Sequence, residues 1–191
     1  MRAERTRSLL VRAGLSVFTE RGYHKMRIAD ITTAAGVAVG TFYTYFDTKD
    51  EIFESVLELV ENEVIATPNR PRGVGPAESI RSTNWLYMHS FARNARFWAV
   101  LEEAAMTSEV ARTLILKRQR QNRRRTESAL RRWIDAGLIE PMDNIPMVAQ
   151  ALGALTERCA YLWFVFGEVV DPEEAAERVT DIWFKMLRID A

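Results

Sequence analysis

The chain has 191 residues, of which 48% are hydrophobic, and carries 26 basic and 26 acidic side chains. This composition is sufficient for a well-buried core in one domain or two small ones. The single cysteine, Cys159, excludes an internal disulfide and predicts a reducing, cytoplasmic location. No apolar run approaches the length that a bilayer crossing requires, and the charged N-terminus lacks the apolar core of a signal peptide. We therefore expect no membrane contact.

Charge is distributed unevenly along the chain. Residues 1–50 contain eight Lys or Arg and five acidic residues, a net charge of +3, so the remainder carries −3. A basic N-terminal segment on a neutral or acidic body is typical of a DNA-facing domain.

Two short helices joined by a glycine turn are predicted near the N-terminus. The first spans about residues 28–35 and ends at Gly36, because glycine adopts a left-handed cap conformation without steric cost. The second spans 39–46. Helix, tight turn and second helix form the arrangement that places a recognition helix in the DNA major groove. The apolar face predicted for the second helix consists of Val39, Phe42 and Phe46.

Side chains outside the aromatic core are candidates for DNA contact. Tyr43 and Tyr45 are poor core residues and good donors to phosphate, and Lys49 follows where its ammonium group can reach a backbone phosphate. The helix offers no Arg, Lys, Asn or Gln for bidentate base contacts. Specificity is therefore expected from thymine methyl groups, from DNA shape or from residues before the turn. Arg27 is one such residue, with a solvated side chain as the equal alternative. The predicted DNA-contact residues are Arg27, Val39, Gly40, Thr41, Tyr43, Thr44, Tyr45 and Lys49.

This segment resembles the DNA-binding motif of the TetR family of bacterial transcriptional repressors. The resemblance covers roughly the first quarter of the chain. It implies an all-α fold of about nine helices. A three-helix helix-turn-helix DNA-binding domain is expected at residues 1–50, and a helical ligand-binding and dimerisation domain at 51–191. The residues that carry the resemblance are Leu10, Ala13, Phe18, Gly22, Tyr23, Ile31, Ala35, Gly36, Val37, Gly40, Thr41, Phe42, Tyr43, Tyr45, Phe46 and Lys49.

The other helices are predicted from periodicity and from their ends. The first helix spans about Glu4 to Arg21 and stops at Gly22. Thr48 and Glu51 have the spacing of a capping box, which begins a long helix that ends near residue 66. Prolines and glycines then interrupt the chain. Further helices are predicted at about 77–92, 94–106, 108–136, 145–167 and 172–188.

Large apolar side chains are frequent in the second domain. Most are expected to be core, yet a helical bundle can hold a flat or apolar small molecule between facing helices. The predicted ligand-contact residues are Trp85, Met88, His89, Phe91, Trp98, Glu102, Met106, Trp133 and Tyr161.

Nine Lys or Arg residues crowd one predicted helix between positions 112 and 132. Because they fall all round the helix, a solvated surface is the preferred interpretation. The alternative is a face that binds an anion, such as a phosphate-bearing acyl thioester.

The last two predicted helices carry apolar stripes too wide for a monomer. Two such helices from each subunit can form a four-helix interface about a two-fold axis. Two DNA-binding domains then reach successive major grooves of a pseudo-palindromic operator. The predicted interface residues are Leu152, Leu155, Leu162, Phe166, Ile182, Trp183 and Met186.

These patterns together predict a DNA-binding transcriptional regulator. The first hypothesis is a homodimeric repressor that a small apolar or aromatic ligand releases from its operator. In an activator, or in a regulator that needs its ligand to bind DNA, the ligand favours the opposite form of the protein. The second is a helix-turn-helix regulator without an effector, and the third is an α-helical enzyme. His24 and His89 lie far apart in sequence, and neither a glycine phosphate loop nor an HExxH motif occurs, so we predict no enzyme, catalytic residue, metal or cofactor.

Overall fold

The computed structural model describes the backbone of residues 2–65, 74–168 and 171–190, and the side chains of 3–62, 74–168 and 171–190. Within these ranges it contains nine helices and no strand, which confirms the predicted all-α fold. No helix in the described ranges is both long enough and apolar enough to span a bilayer. The helices are α1 (Arg2–Lys25), α2 (Ile28–Ala35), α3 (Val39–Phe42), α4 (Lys49–Ile65), α5 (Pro76–Arg93), α6 (Ala95–Ala105), α7 (Glu109–Asp135), α8 (Ile145–Phe164) and α9 (Pro172–Leu187).

The chain divides into two compact units. The described residues of Met1–Ile65 and Arg96–Ile115 form the first, and those of Ala66–Ala95 and Leu116–Ala191 form the second. The predicted boundary at residue 50 divides the chain by role and stays a prediction. The break predicted at residues 67–76 lies outside the described part of the chain up to residue 73; of the remainder, Gly75 is the N-cap of α5 and Pro76 its first residue.

Aromatic packing joins α1 to α4 in the first unit. The Phe18 and Phe53 ring centroids lie 4.7 Å apart, and those of Phe53 and Phe97 lie 5.5 Å apart. Gly22 interrupts α1 with φ 74° and ψ 167°, a conformation that a residue with a Cβ rarely adopts. The predicted stop at Gly22 is therefore present as a kink, after which the chain stays helical to Lys25.

Side-chain acceptors satisfy the first amides of α2 and α4. Arg27 supplies no hydroxyl cap for α2; its backbone N–H instead donates to the Asp30 carboxylate at 2.8 Å. At α4, the Glu51 N–H donates to Thr48 Oγ1 at 3.2 Å, which confirms half of the predicted capping box. The Glu51 carboxylate accepts from Asp47 N at 2.8 Å rather than from Thr48 N, so the return bond lies one residue earlier.

The second unit is held together by buried polar contacts as well as by apolar packing. Asn84 Nδ2 of α5 donates to Thr180 Oγ1 of α9 at 3.1 Å. The Trp183 indole N–H of α9 donates to Thr156 Oγ1 of α8 at 2.9 Å. Asp171 caps α9 by accepting from the Glu173 N–H at 2.9 Å. The helices predicted beyond residue 77 are all present, each within three residues of its predicted ends.

Candidate DNA-binding surface

Two buried phenylalanines fix the short helix α3 and the turn after it. Phe42 and Phe46 are 0% and 3% exposed, and their ring centroids lie 5.6 Å apart. The Arg7 guanidinium lies over the Phe46 ring at 5.1 Å, and its Nη2 donates to Ser55 Oγ at 2.8 Å. Helices α1 and α4 therefore hold the end of this segment, as the assignment of both phenylalanines to the core predicted.

The predicted second helix of the motif is shorter than its sequence pattern indicated. It ends at Phe42, and the amides of Tyr45 and Phe46 both donate to the Phe42 carbonyl in a turn. Because the helix is only four residues long, the apolar face extrapolated over residues 39–46 does not exist as one stripe. Val39, predicted on that inward face, is 46% exposed.

The exposed side of α3 and its turn is formed by residues four apart. Val39 lies one helical turn before Tyr43, and Gly40 one turn before Thr44, whose hydroxyl donates to the Gly40 carbonyl at 3.4 Å. All four are exposed, Tyr43 by 53%. Thr41 and Tyr45 are half-buried. We call Val39, Gly40, Tyr43 and Thr44 the recognition face; contact of these residues with DNA stays a prediction.

Lys49 begins α4 and is half-buried against Tyr23. Its Nζ donates to the Tyr23 carbonyl at 3.3 Å and lies 4.2 Å from the centroid of the Tyr23 ring. An ammonium group has three N–H donors, so this bond is compatible with the predicted phosphate contact. Arg27, the other predicted cation, is exposed at the start of α2.

Tyr23 also connects the end of α1 to α4 through its hydroxyl. The hydroxyl donates to the Asp50 carboxylate and lies 3.5 Å from Ser108 Oγ. Burial first, and then the bond to the Asp50 carboxylate, raise the pKa of Tyr23 above its usual value. Sequence reasoning included Tyr23 in the family motif but did not predict this contact.

The predicted ligand-contact residues are divided between the two compact units. Trp98, Glu102 and Met106 belong to the first compact unit and the other six to the second. Met88, Phe91, Trp98 and Trp133 are buried, His89 and Tyr161 are half-buried, and Trp85, Glu102 and Met106 are exposed. The Trp85 and His89 rings stack 3.9 Å apart. Tyr161 instead packs on Phe166. Their assignment to a ligand site stays a prediction.

One arginine of the basic helix is buried. Arg118 is 4% exposed, whereas Arg120 and Arg124 on the same helix are exposed, as the solvated interpretation predicts. Its burial was missed because it lies within a run of basic residues. The available signal was its position, since Arg118 follows the buried Ala111 and Leu114 by seven and four residues, on the same helical face.

The predicted dimer residues divide between the interior and the surface of the second unit. Leu152 and Trp183 are buried, Leu155 and Leu162 are half-buried, and Phe166, Ile182 and Met186 are exposed. Ile182 and Met186 lie one helical turn apart on α9 and form an exposed apolar pair. The interface assignment stays a prediction.

A family model described as bacterial regulatory proteins, tetR family, matches residues 10–56. This range runs from the buried side of α1 through α2 and the recognition face into α4. This part of the chain has the DNA-binding motif of the TetR family.

Similar proteins and solved structures extend the resemblance beyond this motif. The HTH-type transcriptional regulator HbdR of Aromatoleum sp. (strain CIB) is 26% identical over 148 residues, which are 74% of this chain and 63% of HbdR. A protein from Syntrophomonas wolfei assigned to the TetR family has a TM-score of 0.81 at 22% identity, over 96% of this chain and 95% of that one. FadR from Bacillus subtilis, solved in complex with stearoyl-CoA, has a TM-score of 0.75 at 18% identity, over 96% of this chain and 99% of that one. These comparisons show a TetR-like fold for the chain and the DNA-binding motif of the TetR family within residues 10–56.

Proposed function

We propose that the protein is a TetR-family transcriptional regulator and acts as a repressor. It binds a pseudo-palindromic operator as a homodimer, and a small apolar or aromatic effector releases it. The observation that carries the proposal is the recognition face, which lies exposed directly over the buried Phe42 and Phe46.

The recognition face suits the major groove of DNA. Gly40 is exposed, and apart from its chain neighbours and the backbone of its own helix no described heavy atom lies within 4 Å of where a Cβ would stand, so the backbone can approach base edges closely. Val39 offers methyl groups to a thymine methyl, and the Tyr43 hydroxyl offers a donor to phosphate. Lys49 adds a positive charge at the end of the same segment.

Dimerisation is supported by the exposed apolar residues at the end of the second unit. Ile182 and Met186 of α9, and Phe166 after α8, are 37%, 49% and 65% exposed. A two-fold interface covers the same patch on both subunits and pairs the two DNA-binding domains. Paired domains reach half-sites about one helical turn apart.

Release from DNA requires an effector that prefers the form unable to bind the operator. Reversing a strongly biased equilibrium takes on the order of 5 kcal/mol of differential affinity over the bound sites. The aromatic side chains of the second unit suit an apolar or aromatic ligand. FadR, which has the same fold, was solved in complex with stearoyl-CoA, so this fold accommodates a ligand with a large apolar part. We place this regulation in the cytoplasm, because bacterial DNA is located there.

The first test is a selection of DNA fragments from random and genomic sequence by the purified chain at stated salt. We expect one pseudo-palindrome, bound by two subunits. A Tyr43→Phe variant tests the recognition face: it should bind the recovered operator and unrelated DNA more weakly. Recovery of unrelated fragments only, or unchanged binding by Tyr43→Phe, would contradict the assignment of this surface to DNA.

The second test is a small-molecule screen by thermal shift, followed by operator release. A ligand that binds only the native state must raise the melting temperature by mass action. We expect hits that also dissociate the operator complex. Ligands that stabilise the protein and strengthen operator binding would reverse the proposed direction of regulation.

A further inference from the structure

Arg118 is the only charged side chain among the described residues that is more than nine-tenths buried. It lies in the part of α7 that belongs to the second compact unit. Burying a guanidinium costs several kcal/mol of hydration unless close partners replace the water. Its surroundings therefore need an explanation.

The two terminal nitrogens of Arg118 donate to different acceptors. Nη1 donates to Glu157 Oε1 of α8 at 2.5 Å, and Nη2 donates to the Tyr87 hydroxyl of α5 at 3.0 Å. The other Glu157 oxygen accepts from Gln119 Nε2. A guanidinium matches a carboxylate best when two parallel N–H groups meet its two oxygens. One Glu157 oxygen bonds a terminal nitrogen of Arg118 and the other bonds Gln119, so an anionic group that accepts from both terminal nitrogens can compete with Glu157 for Arg118.

The cluster adjoins aromatic side chains of the same unit. The Tyr87 ring lies 5.9 Å from the Phe91 ring, and Phe91 lies 6.4 Å from the Phe164 ring of α8. On α5 the Ser90 hydroxyl is buried with no hydrogen-bond partner among the described residues. Charged and polar groups next to aromatic side chains, with a buried hydroxyl on the same helix as Tyr87, are typical of a site for an amphipathic molecule.

We propose that Arg118 anchors the anionic group of the effector and that Glu157 occupies Arg118 when no effector is bound. This inference rests on the proposed function, since it names the chemical class of the effector: an apolar or aromatic body with an anionic head. The head takes both terminal nitrogens of Arg118 and displaces Glu157, whose side chain is 18% exposed and so reaches water when released. The α7 to α8 contact made by this ion pair is thereby exchanged for a contact to the ligand.

The anionic head has two possible sources, a carboxylate or the phosphates of a coenzyme A thioester. Both present charged oxygens to a guanidinium. The probes are decanoate and 3-phenylpropanoate as acids, decanoyl-CoA as the thioester, and decanol as the neutral molecule. Binding of each is measured by titration calorimetry with the full chain.

Three variants separate a ligand site from a structural ion pair. Glu157→Gln removes the internal competitor, so the anionic probe should bind about tenfold more tightly than to the parent chain. Arg118→Met with Glu157→Met replaces the pair by apolar side chains, which usually preserves the fold, and should weaken that probe about tenfold or more. Arg120→Gln removes an exposed arginine of the same helix and should leave all affinities unchanged.

The outcomes distinguish this inference from the proposed function. The role of Arg118 is overturned if Glu157→Gln does not increase the affinity for the acids and the thioester, or if the double variant retains that affinity. It is also overturned if neither the parent chain nor Glu157→Gln binds an anion. If only decanol binds and releases the operator, the proposal of an apolar effector is supported and the proposal of an anionic head is wrong. If anions bind through Arg118 but leave the operator complex intact, Arg118 is the anchor and effector release is wrong.

Discussion

Lys49 offers a test that separates a DNA contact from a fold contact in one side chain. Replacing Lys49 by methionine removes the charge and keeps a long unbranched chain. In the fold, the ammonium loses its bond to the Tyr23 carbonyl at 3.3 Å and its position 4.2 Å from the Tyr23 ring. Because Lys49 is half-buried, we expect the free energy of unfolding to fall by about 1 kcal/mol.

The DNA consequence of the same change has a separate magnitude. If each Lys49 neutralises one phosphate, the slope of log affinity against log salt falls by about 0.9 per subunit and about 1.8 per dimer. Fluorescence anisotropy of an operator and of an unrelated duplex over a range of KCl concentrations measures the slope, and thermal melting measures stability. The matched control is Lys185→Met, which removes a 74% exposed lysine on α9.

Two results would refute this reasoning. A stability loss with an unchanged salt slope would make Lys49 a structural lysine that binds only Tyr23. An equal fall of the slope in Lys185→Met would show that net charge, rather than a local phosphate contact, sets the salt dependence.

Three further changes test the structure at other points. The raised pKa of Tyr23 means that its protonated hydroxyl, bonded to Asp50, favours the native state; this stability is complete below about pH 10 and lost as pH rises through the raised pKa. The free energy of unfolding should therefore decline less steeply with rising pH in Tyr23→Phe than in the parent chain. An identical decline would contradict that role. Met186→Asp should give monomers in sedimentation. An intact dimer would show that the interface does not include Met186. In Gly14→Ala the new Cβ would lie 3.1 Å from Val56 Cγ2, so we expect overpacking of about 1–3 kcal/mol to cancel or exceed a helix-propensity gain of about 1 kcal/mol. In a Val56→Ala background the same change should stabilise, and additive effects in denaturant unfolding would refute the clash.

Helix ends were predictable where local chemistry alone determines them. Gly36 adopts the left-handed cap conformation at the end of α2, with φ 67° and ψ 34°. Asp171 and Pro172 begin α9 with a side-chain cap and a first-turn proline. In both cases the residues that end or begin the helix lie within a few positions of each other, so the sequence contains the whole interaction.

Long-range contacts were not predictable in this way. Helix α3 ends at Phe42 and Phe46 is buried from the turn that follows, whereas periodicity alone extended the helix to Phe46. Arg118 looks like its basic neighbours in sequence, and its burial depends on Tyr87 and Glu157, 31 and 39 residues away. A hydrogen bond between distant residues leaves no spacing signal in a single sequence.

If the recognition face binds DNA as proposed, the brevity of α3 constrains how a new operator preference can evolve. The recognition face alternates with core residues within one helical turn, because Phe42 immediately precedes Tyr43 in the chain. A substitution that repositions the backbone there disturbs the packing of the first unit, so selection cannot change DNA preference and folding stability independently at these positions. Variation compatible with the fold is confined to side chains such as Val39 and Thr44, whose exposure leaves the core intact. A library intended to change operator preference should therefore vary the exposed positions and keep both phenylalanines.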